Sequence, residues 1–225
     1  MEKKNFGLPQ YSHGEEVVNT ASHFVGFLFG LAITIYFVVH QVLNAIPMTM
    51  MYPFYIYSFF MIVMFLNSSI YHSRRFESKA RYVCRIIDHS DIYLFVAATY
   101  TPICVLAISI QWISIALLIL EWVLAITGMT ITIIAMTTNN KVLDLISYSL
   151  YLIIGWALVI FYPAISAIEF RVFLFILLGG IVYTSGVLFY NFGRKKKWFH
   201  TIFHFFVLVA DVLQFVGIYF VLISI

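Results

Sequence analysis

The chain is organised around the stretch Trp198-Phe199-His200-Thr201-Ile202-Phe203-His204, which opens the last apolar run of the sequence and follows a basic run at 194–197. His200 and His204 are four residues apart, so on a helix their imidazoles lie on one face, about 5.4 Å apart along the axis. This spacing suits two ligands of one metal ion, but it also occurs where histidines only fill a packing position. The positions of the other polar residues decide between the metal-ligand and the packing interpretation.

The composition is that of an integral membrane protein. Hydrophobic residues make up 63% of the 225 positions and charged residues 10%, with a mean hydropathy of +0.97. Soluble domains carry charges at about 25% of their positions. The net charge of +3 is small and its basic residues fall in short loops, as membrane topology requires, so it does not indicate nucleic-acid binding. We therefore expect a multi-pass protein of the cell membrane.

Seven apolar runs are each long enough to cross about 30 Å of hydrocarbon. They cover residues 17–43, 52–72, 83–108, 112–136, 143–162, 171–190 and 198–225. Pro47, Pro53 and Pro163 fall at the edges of runs, where proline suits a turn. We predict an all-α membrane protein with a cytoplasmic N-terminal segment over 1–16 and a single seven-helix transmembrane domain over 17–225.

The basic residues predict how these helices are oriented. With seven spans, Arg171 is the only one of the 13 lysines and arginines that falls on the side opposite the N-terminus. Cytoplasmic loops carry an excess of lysine and arginine, so we predict a cytoplasmic N-terminus and an outside C-terminus. Adding or removing one helix would abolish this asymmetry.

Polar residues gather at the cytoplasmic ends of the predicted helices. They come from four helices: Glu16, Asn19, His23, Ser68, His72, Asp88, His89, His200 and His204. Ionisable residues within membrane spans are rare and usually face the interior of the bundle at a functional site. Histidines reaching toward lipid headgroups are the simpler explanation, but they would not account for outer ends where only His40 occurs. The sequence therefore favours one polar site at the cytoplasmic end.

His72, His200 and His204 are the best candidates for metal ligands. Three neutral imidazoles with one open coordination position are typical of a catalytic zinc site. His89 is the chief alternative ligand. It is rotated about 100° from Asp88 around their helix, so the two side chains cannot both point at the metal, and we expect Asp88 to point inward.

Asp88 and Ser68 are the predicted catalytic residues. A carboxylate beside the metal suits a general base that deprotonates the attacking water. Ser68 lies one turn from His72 on the same helical face, where its hydroxyl could donate to an oxyanion or orient the water. The other polar residues are predicted to support the ligands or to form a polar path: Glu16, Asn19, His23, His89, Glu121 and Asp211.

Glu121 and Asp211 lie deep within their predicted helices, and two interpretations remain open. Asp211 follows His204 by seven residues on the same face, about 10 Å further along the helix. Both acids could accept hydrogen bonds from neighbouring hydroxyl groups, which is the structural interpretation. They could also form a proton or ion path from the outer leaflet to the metal site. In either case we expect both acids to be protonated or hydrogen-bonded, because a charged carboxyl group is costly in hydrocarbon.

Motifs in the order expected along the chain resemble those of the hemolysin III branch of the progestin and adipoQ receptor superfamily. They include Ser68-x-x-x-His72, Ile86-Ile87-Asp88-His89-Ser90, Ala98-Thr99-Tyr100-Thr101-Pro102 and His200-x-x-x-His204. The resemblance implies a seven-helix bundle that holds zinc through three histidines, kinship to alkaline ceramidases, and a place in a bacterial plasma membrane. Ala97-Ala98 and Phe203 depart from the expected glycine-containing pair and tryptophan, but neither touches a proposed ligand.

Two classes of function remain open at this stage. The first is a zinc-dependent hydrolase, with membrane lipids as partners and a lipid amide or ester as substrate. The second is a non-enzymatic membrane regulator, a proton- or ion-coupled protein of membrane energetics, or a cytolytic factor, in which zinc only joins the second and seventh helices. A conducting pore through the monomer is disfavoured, because the outer half of the helices is mostly apolar.

Overall fold

The computed structural model describes residues 8–162, 168–193 and 196–225, and every regular element in these ranges is helical. The α-helices are α1 (His13–Leu43), α2 (Met48–Ser73), α3 (Lys79–Pro102), α4 (Gln111–Thr138), α5 (Lys141–Gly155), α6 (Ala157–Ile160), α7 (Phe170–Gly193) and α8 (Phe199–Leu222). A π-helical turn, Ile103–Ala107, continues α3 after Pro102. The predicted all-α class is confirmed.

Six helical segments of the described chain are long and apolar enough to cross a membrane. They are α1, α2, α3 with its π-helical turn, α4, α7 and α8. Because several of its helices can span a membrane, the chain is a multi-pass membrane protein. The predicted fifth run is divided between α5 and α6, which meet at Trp156. Since α5 has 15 residues and is therefore about 22 Å long, it does not reach across 30 Å alone, and the seven-span topology stays a prediction.

The first three helices each begin four residues before the predicted apolar run. α1 begins at His13 instead of residue 17, because Ser12 caps it and Glu15 accepts hydrogen bonds from the Ser12 backbone and hydroxyl groups. The prediction that Pro53 lies in a turn is wrong, since Pro53 is the sixth residue of α2, where it removes the N–H that would otherwise bond to the carbonyl group of Thr49. Pro163, Lys3, Lys4, Arg194 and Lys195 lie outside the described residues.

The packing order brings three helices together at one end of the bundle. α1 packs against α2 and α8, α2 against α3, and α7 against α8. The contact between α1 and α2 is close at Gly26, where a Cβ atom would lie 2.4 Å from the Phe65 ring. This arrangement places the last turn of α2 beside the first turns of α1 and α8, which carry most of the predicted polar site.

Candidate metal centre

His72, His200 and His204 meet in one buried cluster, hereafter the triad. The Nε2 atom of His200 lies 3.3 Å from Nε2 of His72 and 3.1 Å from Nε2 of His204. All three side chains are buried. His72 is the last residue but one of α2, and the other two occupy one face in the first turns of α8, so two helix ends supply the whole triad.

The nitrogen geometry fits a metal ion. Nitrogen atoms at about 2.0–2.1 Å from a tetrahedral zinc ion would lie roughly 3.3–3.4 Å from one another, close to the distances in the triad. A carboxylate binds Nδ1 of His72, which makes Nδ1 the donor and leaves a lone pair on Nε2. Lone pairs converging at this distance repel one another unless a cation or proton lies between them. The triad could therefore hold a metal ion.

The three Nδ1 atoms, which lie on the opposite side of each ring from Nε2, have different hydrogen-bond partners. Nδ1 of His72 lies 2.7 Å from Oε2 of Glu16, and the other oxygen of Glu16 accepts a hydrogen bond from Arg81. Nδ1 of His204 lies 3.4 Å from the Ser22 hydroxyl. Nδ1 of His200 has no hydrogen-bond partner among the described residues. His72 is therefore the most firmly oriented of the three imidazoles, since a carboxylate fixes the tautomer of a ligating histidine and raises its basicity.

Two aromatic rings stack on imidazoles of the triad. Tyr11 stacks on His200 with ring centroids 4.6 Å apart, and His23 stacks on His204 at 3.8 Å. Tyr11 precedes α1, and burial raises the pKa of its phenol above the ordinary value, so the ring stays neutral. Neither ring nitrogen of His23 has a hydrogen-bond partner in the described ranges. Both rings therefore shield the imidazoles from solvent.

The predicted catalytic pair lies beside the triad. The carboxyl group of Asp88 lies within interaction range of Ser68 and His72, and its Oδ2 atom is 3.2 Å from Nδ1 of His89. Ser68 is buried one turn before His72. The structure thus brings Asp88 and Ser68 to the same end of the bundle as the three histidines.

His89 lies outside the triad. Its Nε2 atom lies 3.0 Å from the hydroxyl oxygen of Tyr190, and its Nδ1 atom faces Asp88. In the described part of the chain, His89 does not belong to the group that could hold a metal ion. His89 therefore links α3 to α7 and contacts the Asp88 carboxylate.

Asn19 and several residues that the sequence prediction missed complete the polar end. Asn19 accepts a hydrogen bond from Thr201 at 2.7 Å, which ties α1 to α8. Asp91 is buried and accepts a hydrogen bond from Asn67 at 2.6 Å, whereas its other oxygen has no partner in the described chain. Asp91 follows Asp88 by three residues on one helical face, which is a signal the sequence contained. Tyr11 and Arg81 had no comparable signal, because their roles depend on contacts between distant segments.

The two deep acids differ from each other. Asp211 is fully buried and accepts a hydrogen bond from Tyr183, so the structural interpretation fits one of its oxygens. Glu121 is also fully buried, but neither of its oxygens has a hydrogen-bond partner among the described residues. The structural interpretation therefore does not account for Glu121.

Comparison with known proteins agrees with the motifs at this site. A family model described as "Haemolysin-III related" matches residues 11–215. The chain is 30% identical over 202 residues to "Hemolysin-3 homolog" of Bacillus subtilis (strain 168), covering 89% of this chain and 91% of that protein. It is 29% identical over 204 residues to "Hemolysin-3" of Bacillus cereus, covering 89% of each chain. This chain therefore belongs to the haemolysin-III-related family of multi-pass membrane proteins.

Proposed function

We propose that the protein is a zinc-dependent hydrolase that cleaves amide or ester bonds of membrane lipids. The observation that carries this proposal is the convergence of three imidazole nitrogens beside Asp88 at one end of a membrane-embedded bundle. A metal that only joined helices would not need a carboxylate and a serine beside it. A lipid is the substrate class favoured by the setting, because the helices that form the site are themselves apolar and long enough to span.

Zinc held by the triad would supply a Lewis acid that polarises a carbonyl group and lowers the pKa of water. In this proposal, Asp88 takes the proton of the attacking water, and Ser68 donates a hydrogen bond to the oxygen that becomes negative. Glu16 keeps the proton on Nδ1 of His72, which leaves Nε2 free to bind a cation. His89 holds the Asp88 carboxylate in position.

The proposal includes a topology with seven spans, the N-terminus and the triad on the cytoplasmic side, and the C-terminus outside. The distribution of basic residues supports it, with α5 and α6 belonging to the fifth span. In a background with Cys84 and Cys104 replaced by alanine, a membrane-impermeant thiol reagent added to intact cells should label Ile225→Cys and leave His13→Cys unlabelled. Labelling of both cysteines would show an even number of spans.

The direct test of hydrolysis is the variant Asp88→Asn. Purified protein in proteoliposomes is assayed with a fluorescent lipid amide, and bound zinc is measured on the same samples. We expect turnover to fall at least about 100-fold, the usual contribution of a general base, while zinc stays bound. Asp144→Asn, near the start of α5, is the matched control and should keep full turnover. Equal turnover in both variants, or no turnover by the parent protein, would contradict the hydrolase proposal.

A second candidate is a non-enzymatic regulator of the membrane or a cytolytic factor, with zinc only joining α2 to α8. The names of the two relatives favour it, since both refer to hemolysin. The buried and unpartnered Glu121 favours a form coupled to protons or ions. If Glu121→Gln folds and keeps full function, that coupled form is excluded.

A further inference from the structure

A groove lies between α1 and α2 on the outside of the bundle, next to the triad. Its volume is about 750 Å³, which is within the range of ligand pockets. Glu16 and His72 form part of its wall, but His200 and His204 do not line it. The groove therefore lies behind His72, on the side where Glu16 holds Nδ1, and is distinct from the space between the three Nε2 atoms.

One end of the groove is basic. Arg74 and Arg75 line it and are exposed, and no carboxylate in the described ranges forms an ion pair with either side chain. Arg81 lines it too and is buried, with its Nε atom lacking a hydrogen-bond partner in the described chain. Glu16 is the carboxylate on this wall, and it is already bound by Arg81 and His72. Two guanidinium groups and one buried N–H therefore remain for an anion.

The other end of the groove is apolar and faces the lipid. Val17, Ala21 and Phe24 line it from α1, and all three are exposed on the surface of the bundle. They are spaced by four and then three residues, so they form one stripe about 10 Å long down the helix. A ligand that fills the whole groove must therefore combine an anionic head with an apolar chain.

We propose that this groove binds an anionic phospholipid of the membrane leaflet that surrounds the triad end. Its phosphate group lies among Arg74, Arg75 and Arg81, and one acyl chain lies along Val17, Ala21 and Phe24. A soluble anion would leave the apolar stripe unused, and a zwitterionic lipid would leave the two exposed guanidinium groups without a net countercharge. Because Arg81 also holds Glu16, only these two residues separate the bound phosphate from the ligand His72.

This inference does not depend on hydrolysis, and lipid binding tests it directly. The delipidated full-length protein is mixed in detergent with phosphatidylglycerol or phosphatidylcholine, and bound lipid is measured by native mass spectrometry. Arg74→Gln/Arg75→Gln removes two charges from the groove. Lys79→Gln/Lys141→Gln is the matched control, since it removes two exposed charges that do not line the groove. We expect the first variant to lose about 30-fold in affinity for phosphatidylglycerol, roughly fivefold for each basic residue.

A second pair of variants tests the acyl chain. Ala21→Trp fills the apolar stripe, whereas Val25→Trp places the same ring on an exposed position of α1 outside the groove. Ala21→Trp should lower phosphatidylglycerol binding and Val25→Trp should not. The inference is overturned if phosphatidylcholine binds the parent protein equally well. Equal losses in the groove and control arginine and lysine variants, or undiminished binding by Ala21→Trp, would also overturn it.

Discussion

The Glu16 carboxylate at the triad end and the Glu121 carboxyl group in the middle of α4 have opposite surroundings. At the triad end, a chain of contacts links Arg81, Glu16 and His72, so a charged group has a charged partner. In α4, the Glu121 carboxyl group is buried with no hydrogen-bond partner among the described residues. A satisfied buried network positions its members, whereas an unpartnered group costs stability. The comparison teaches that burial of polar groups alone does not identify a site; mutual contact does.

The largest expected effect follows from breaking the triad itself. His204→Ala removes one of three converging nitrogens, and we expect zinc affinity to fall by more than about 100-fold, beyond the loss typical of a supporting residue. Zinc titration of the purified protein with a competing chelator measures this. His40→Ala is the control, because His40 lies at the far end of α1. Unchanged affinity in His204→Ala would show that the histidines pack together without binding zinc.

A smaller effect is expected from removing the charge that supports the triad. Glu16→Gln keeps the shape of the side chain but weakens its bonds to His72 and Arg81. Zinc affinity should fall about 10- to 100-fold, the usual cost of losing such a partner. The same titration applies, with the exposed Glu77→Gln as control. A Glu16→Gln variant that binds zinc like the parent protein would mean that the network does not act on the metal site.

The smallest expected effects concern the two deep acids and have opposite signs. Glu121→Leu removes a buried group without a partner, so we expect it to stabilise the protein by about 1–3 kcal/mol. Asp211→Leu leaves the Tyr183 hydroxyl without its acceptor and should destabilise by a similar amount, while Asp211→Asn should recover part of the loss. Equilibrium unfolding in detergent measures both. Destabilisation by Glu121→Leu would show that this carboxyl group has a stabilising partner.

Local spacing made the triad predictable. His200 and His204 share one helical face, and Ser68 and His72 share another, so the sequence alone predicted that the side chains of each pair lie side by side. The start of α1 was also readable in principle, because Ser12 and Glu15 have the spacing of a capping box. The spacing of a proline from a run edge was misleading at Pro53, where the helix simply begins earlier.

Contacts between distant segments could not be predicted. Tyr11 stacks on His200 across almost the whole length of the sequence, and Arg81 reaches Glu16 from another helix. No periodicity encodes such pairs, since they depend on how helices cross. The break at Trp156 was missed for a related reason: the residues on both sides of Trp156 are apolar, and hydropathy does not report where the backbone turns.

The most direct measurement of the central claim is X-ray absorption at the zinc edge of the purified full-length protein. We predict one zinc ion per chain, with three nitrogen ligands at about 2.0–2.1 Å and one further oxygen ligand at a similar distance. His72→Ala should remove this signal. A zinc-free protein, or sulfur scattering at about 2.3 Å from Cys84 or Cys104, would contradict the account.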